Sequence, residues 1–202
     1  MRHSHAGKKR DLVTELAALL TLAATKNQDR VGLLLFTDHI EHVIPPGKSR
    51  QHVLQLLHHL LHFEPTGKQT QFTPVLNRFA HMARRHSVVF LLSDFLGTDY
   101  QDELRSLASR HDVNAIHVLD SPKVISGLRG LVRVEDAESG RQRVIELADN
   151  NSSADSHRQQ VQKNMEDSGI PRLEIQPGDD CVVSLTRYFS MRQSRVNHNT
   201  GG

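Results

Sequence analysis

Three short apolar runs limit what this chain can fold into. VGLLLF (Val31–Phe36), SVVFLLS (Ser87–Ser93) and NAIHVL (Asn114–Leu119) are too short for buried helices, and amphipathic stretches separate them. Unbroken runs of this length suit strands covered on both faces, as in a parallel sheet. Between them, Leu12, Leu16, Leu19, Leu20 and Ala23 recur at three- and four-residue steps, which predicts a helix from Lys9 to about Thr25. Helical spacing returns over Arg50–Phe63, over Thr73–Arg84 with Pro74 in the first turn, and over Asp99–Ser109. Strands alternating with helices predict an α/β fold with a doubly wound, mostly parallel sheet.

The remainder of the chain reads differently. Ile40–Ile44 is a shorter extended segment, stopped by Pro45, Pro46 and Gly47. LVRVED-AESG-RQRVIEL alternates apolar and polar residues about a glycine-containing turn and predicts a β-hairpin. Asn150–Ser153 reads as a polar break, Asp155–Asp167 as a polar helix, Leu173–Ile175 as a strand and Cys181–Met191 as a closing helix. There is no internal repeat, so the division expected is a basic disordered start at 1–8, one domain over 9–195, and a disordered tail at 196–202.

Ligands of open parallel sheets sit at the carboxyl ends of the strands. Each apolar run is followed there by an aspartate: Asp38, Asp94 and Asp120. With Ser93, and with Thr70 in the loop before the third helix, these oxygens could hold a hard cation such as Mg²⁺. Strand-end Asp, Ser and Thr also serve as turn residues and helix caps, which is the commoner use.

Other features are weaker. His58 and His62 stand four apart on one helix with His52 and His59, the spacing of a helical zinc pair, but no Glu follows His58 as a metalloprotease requires. Val53, Leu54, Leu57, Leu60 and Leu61 would form the buried side, leaving these histidines in solvent. His111 and His117 are expected to be structural. PPGKSR has Gly-Lys-Ser without the upstream glycine of a phosphate loop. A single cysteine, Cys181, excludes an internal disulfide and reads as a partly buried bystander at a helix start. Arg187, Arg192 and Arg195 are best explained as cations favouring the end of the last helix. The formal charge of +2 is too balanced to imply nucleic acid, and 4% aromatic residues leave few rings for base stacking. No apolar window approaches the roughly 18 residues of a membrane span, and the start lacks a signal-peptide core, so a cytoplasmic location is expected.

DRVGLLLFTDHIEHVIPPGKSRQHVLQLLHHLL, TGKQTQFTPVLNRF, SVVFLLSDFLG, RHDVNAIHVLD, GLVRVEDAESG and YFSMR occur in that order. Together they resemble the bacterial domain of unknown function 58, a family related to von Willebrand factor A domains, and SDF followed by RHDV is the most specific part. The resemblance implies a von Willebrand factor A-like, Rossmann-like fold and an accessory role beside MoxR-type AAA+ ATPases. It also implies a metal-ion-dependent adhesion site, with Thr70 at the second-loop position and Asp94 at the third. The Asp-x-Ser-x-Ser motif that supplies the first ligands is missing from this sequence. On this resemblance the chain starts just after the central strand and should bind Mg²⁺ weakly or not at all, although complete relatives would hold it. Strands left without that neighbour should make the chain poorly stable alone.

The function expected is therefore a non-enzymatic protein-interaction module whose edge carries Asp38, Thr70, Ser93 and Asp94. Its partner would be a MoxR-type ATPase, with no nucleic acid and no membrane span. The rivals are a metal-dependent phosphoesterase using Asp38, Asp94 and Asp120, and a weak nucleic-acid binder acting through the basic termini.

Overall fold

The computed structural model describes residues 5–67, 70–97, 100–120, 131–135, 142–146 and 150–199. Its elements run α1 (His5–Lys26), β1 (Val31–Phe36), β2 (Ile40–Gly47), α2 (Arg50–His62), α3 (Phe72–Met82), β3 (Val88–Ser93), α4 (Gln101–Ala108) and β4 (Asp112–Val118). They continue with β5 (Leu131–Glu135), β6 (Gln142–Glu146), α5 (Asn150–Asp167), β7 (Arg172–Ile175) and α6 (Cys181–Asn199). The fold is mixed α/β, as the alternation of runs predicts, with a three-stranded parallel sheet ordered β3-β4-β7. Val88 pairs with Asp112 and Ser93 with His117, while Ala115 pairs with Arg172 and Val118 with Ile175.

Each face of this sheet is covered by helices, which is why its strands read as continuous apolar runs. On one face Ile116, Val118 and Ile175 form a core with Leu12 and Leu16 of α1 and Cys181 and Leu185 of α6. Alternation along β4 sends His117 to the other face, where Phe95 meets it edge-on at 5.7 Å. Leu104 and Leu107 of α4, and Val75 and Leu76 of α3, are also buried.

β1 departs from the expectation. It pairs antiparallel with β2, from Val31 opposite Gly47 to Phe36 opposite Ile40, and stands outside the parallel sheet. Its residues are half-buried, with Gly32 exposed, so this run is not covered on both faces. An apolar run reports burial and not strand direction, and a short turn at 37–39 makes the antiparallel partner the near one. Among the described residues, β1 is laddered only to β2 and β3 only to β4, so each keeps one open edge; α1 touches both strands.

Three further boundaries differ. β2 continues through Pro45 and Pro46 to Gly47. It is an edge strand, where a residue lacking an N–H costs no ladder bond if that side faces away from the partner. α5 begins at Asn150, so the Asn-Ser-Ser segment starts the helix and does not break the chain. At the start, α1 takes in residues 5–8, and at the end α6 runs on to Asn199. Residues 1–4 and 200–202 lie outside the described residues, as does the hairpin's turn at 136–141. The single domain expected over 9–195 divides into two compact units, Met1–Ser121 with Met165–Gly202, and Pro122–Asn164. Within the second unit β5 and β6 form the expected antiparallel hairpin, Leu131 opposite Glu146 and Glu135 opposite Gln142.

Among the described residues, no helix is long and apolar enough to cross a membrane. Arg192 has a use other than the helix dipole. Its guanidinium pairs with Asp112 at 2.9 Å and also donates to the buried Asn114 Oδ1, which accepts from the Tyr188 hydroxyl at 2.6 Å. Cys181 is a buried thiol whose pKa burial pushes up to about 11, with Glu15 nearby adding to the shift. Burial outweighs the helix start, and the thiol stays protonated.

Candidate functional site

The carboxyl ends of β1, β3 and β4 bring the strand-end residues to one rim, in two groups. The first is built on β1 and β2. Thr37 Oγ1 donates to Glu41 Oε1 at 2.6 Å and lies 3.1 Å from Asp38 Oδ1. The same Glu41 carboxylate accepts the backbone N–H groups of Thr66, at 2.9 and 3.0 Å, and of Gly67, at 3.1 Å. It thereby pins the loop that leads to α3, and the Gln71 N–H closes that loop on Thr37 O at 3.2 Å. Gly67 lies so close that a Cβ there would run into Thr37 Oγ1 and Asp38 Oδ1.

These contacts set the charges. The Thr37 hydroxyl and the two amides hold the Glu41 carboxyl down at about 2. Asp38 is also held low, first by the His39 ring nitrogen at 2.7 Å and then by Thr37. Because the folded pKa of Glu41 lies below its ordinary 4.5, its stabilisation is complete above that value and is lost as pH falls toward about 2. Glu41→Gln should therefore lower stability at pH 6 and flatten its decline between pH 4.5 and 2. Urea midpoints across that window check this, and an unchanged acid limb would refute it.

The second group surrounds Lys9. Its ammonium bridges Asp94 Oδ2 at 2.9 Å and Asp120 Oδ1 at 3.1 Å. The Lys9 side chain is only 18% exposed, whereas Asp120 is 75% exposed, so the inner pair with Asp94 is the stronger. The other Asp94 oxygen accepts the Leu96 N–H at 3.2 Å, and Ser93 Oγ accepts the Phe95 N–H at 3.1 Å. These two local bonds lock the SDFLG loop and leave Leu96 55% exposed on the rim. Phe95 points the other way. It is fully buried, stacked on Phe72 at 5.6 Å, and its backbone is held at a φ of 54°. Phe72 also meets Phe36 at 5.8 Å and Tyr100 at 4.8 Å, so one aromatic cluster underlies both groups. Thr70 lies beside this loop, its carbonyl 3.8 Å from where a Cβ on Gly97 would stand.

Of the expected site residues, Asp38, Thr70, Ser93, Asp94 and Asp120 all reach the rim; Asp94 and Asp120 meet at Lys9, while Asp38 pairs with His39 in the other group. Among the described residues no three His, Cys, Asp or Glu side chains are set to hold a metal ion. Two residues that matter here were not singled out from the sequence, Lys9 and Glu41. Their partners lie 85 and 25 residues away, and no local pattern announces either. The other histidines have plainer uses. His52 Nε2 bonds Val31 O at 2.7 Å, and His117 lies beside Arg172. His111 is buried against Phe79, and that burial lowers its pKa.

Residues 2–167 match the family described as "Protein of unknown function DUF58". The chain is 29% identical over 194 residues to the uncharacterized protein Rv1480 of Mycobacterium tuberculosis (strain ATCC 25618 / H37Rv). That match covers 92% of this chain but 61% of the relative, so the chain spans about three fifths of the length of the curated proteins it resembles. Among solved structures it is similar to the conserved hypothetical protein BatB from Bacteroides thetaiotaomicron. The TM-score is 0.57 at 12% identity, covering 91% of this chain and 87% of that one. It is also similar to an aerotolerance-related membrane protein from Bacteroides fragilis NCTC 9343, with a TM-score of 0.52 at 17% identity, covering 89% and 86%. At such identities the likeness speaks for the fold alone.

Proposed function

The chain belongs to the DUF58 family, and from that premise we propose that it is a protein-interaction module that binds through the rim at the ends of β1, β3 and β4. The observation that carries this reading is Leu96. It is a large apolar side chain, 55% exposed, held outward by a loop whose two aspartate oxygens are both engaged. An apolar anchor on a locally fixed loop is an arrangement from which binding hot spots are made. The partly exposed carboxylates of Asp38 and Asp120 on the same rim favour a basic surface on the partner.

The von Willebrand factor A-like character is part of the same proposal and is supported by the parallel sheet with its loops at the strand ends. So is the partner, a MoxR-type AAA+ ATPase, which rests on the family resemblance. The rim does not fit the hard divalent cation of an adhesion site. Mg²⁺ needs anionic oxygens that are free to converge, and Lys9 already occupies one oxygen each of Asp94 and Asp120. Recognition here would act through the side chains themselves. Ser93 Oγ accepts the Phe95 amide and so serves to fix this loop.

Co-expression of the tagged chain with the MoxR-type ATPase from its own genome tests the reading. We expect co-elution from affinity and gel-filtration columns, lost in Leu96→Asp. Failure to co-elute, or magnesium-dependent phosphoester turnover lost in Asp94→Ala, would sink it.

A further inference from the structure

A further cluster is built on β2 and α2, with Glu41 of the first rim group in its lining. β2 and α2 bring four imidazoles together at the mouth of a cleft of about 260 Å³ lined by Glu41, His42, His58, His59, His62 and Glu64, with Phe63 beside them. His42 stacks on His59 with centroids 4.1 Å apart and planes at 24°. His58 and His62 lie one helical turn apart at 4.3 Å and 32°, and His58 meets His59 at 5.9 Å. The expectation of solvated histidines holds for His58 and His62, whereas His52 and His59 are half-buried, and the rings of His42, His58, His59 and His62 are in mutual contact across two elements. The sorting of α2 explains why. Leu56 replaces Leu54 and Leu61 on the buried side with Val53 and Leu60, and this turns His59 toward β2.

We propose that His58 and His62 chelate a borderline divalent transition-metal ion, Zn²⁺ in the first instance, with His59 or His42 completing the site. The spacing is that of a helical chelate, with two imidazoles at i and i+4 on one face. The tautomer suits it as well. His62 Nδ1 lies 2.9 Å from the His58 carbonyl, which can only accept, so Nδ1 carries the proton and Nε2 presents its lone pair outward. A backbone carbonyl on the second ring nitrogen is the usual support of a metal-bound histidine. Glu41 lines the cleft but is taken up by Thr37, Thr66 and Gly67, so it is not offered as a ligand. Among the described residues no three donors surround a common point already; with His62 held by its bond to the His58 carbonyl, the exposed His58 ring would turn toward the ion by side-chain rotation. The donor set is nitrogen, which selects zinc, nickel or copper over magnesium.

Calorimetric titration of the full chain with zinc chloride at pH 7.5 is the test, with magnesium chloride as the contrast. One zinc per chain and no magnesium is the expected result. His58→Ala and His62→Ala should each weaken zinc binding by about 10-fold or more, while His81→Ala, on α3, should leave it unchanged. Because His58 and His62 are both exposed, the double variant should keep the wild-type urea midpoint without metal. Absence of stoichiometric zinc binding, or wild-type affinity in a folded His58→Ala/His62→Ala variant, would overturn the proposal. Neither outcome bears on the Leu96 rim.

Discussion

Phe95→Ala should lower the stability of this chain by about 3–5 kcal/mol, the range for truncating a fully buried aromatic. The ring is wholly excluded from solvent and contacts Phe72, Tyr100 and His117, so nothing flexible is placed to fill the space it leaves. The backbone adds a second, sharper expectation. Phe95 sits at a φ of 54°, a left-handed conformation that costs an L-residue about 1–2 kcal/mol and costs glycine almost nothing. Alanine loses the ring and keeps that strain, whereas glycine loses the ring and releases it. Phe95→Gly should therefore be no less stable than Phe95→Ala, the reverse of their order in ordinary backbone. Urea unfolding of the two variants decides this; a glycine variant weaker by 1 kcal/mol or more would show that the backbone is not strained there.

Lys9→Glu should be the most damaging single change at the rim. It places a third carboxylate against Asp94 and Asp120, in a site where the lysine side chain is 18% exposed and Asp94 is 28% exposed. Breaking a fully buried pair costs about 3–5 kcal/mol, and exposed pairs contribute about 1 kcal/mol or less. Partial exposure, with charge reversal added, places this change at about 2–3 kcal/mol. Lys9→Met, which leaves two partly hydrated carboxylates, should cost about half as much. Salt separates the two, since added sodium chloride should restore part of the Lys9→Glu loss by screening repulsion. Equal stability of wild type and Lys9→Glu would mean that Lys9 does not hold the SDFLG loop. A change in the loop should also reach Leu96, whose amide is bonded to the same aspartate.

The elements of the fold were largely readable, because periodicity is a local property of the chain. The helices α1, α2, α3, α4 and α6 and the strands β3, β4 and β7 all fall where apolar spacing puts them. The pairing of β1 was not readable, because VGLLLF looks the same in an antiparallel ribbon as in a parallel sheet. The prolines of β2 misled for a related reason, being harmless on an edge that the sequence cannot identify. At the site, strand-end aspartates were visible as types and positions, but what engages them was not. Lys9 reaches Asp94 across 85 residues, and Glu41 reaches Gly67 across 26. Both are tertiary contacts made by charged residues that read as ordinary surface. The exposure of Leu96 was equally hidden, since it follows a buried phenylalanine in a loop whose direction depends on the Asp94 and Ser93 side chains.

The central claim is that the rim around Leu96, and not apolar surface in general, binds a protein partner. Leu54 on α2 is 58% exposed, close to the 55% of Leu96, and is not part of the rim. The decisive measurement is the affinity of the MoxR-type ATPase for wild type, Leu96→Asp and Leu54→Asp, read by biolayer interferometry. Losing a hot-spot side chain costs about 2 kcal/mol or more, so Leu96→Asp should weaken binding by about 30-fold or more while Leu54→Asp stays within about two-fold of wild type. Equal losses in both variants, or wild-type affinity in Leu96→Asp, would contradict the account.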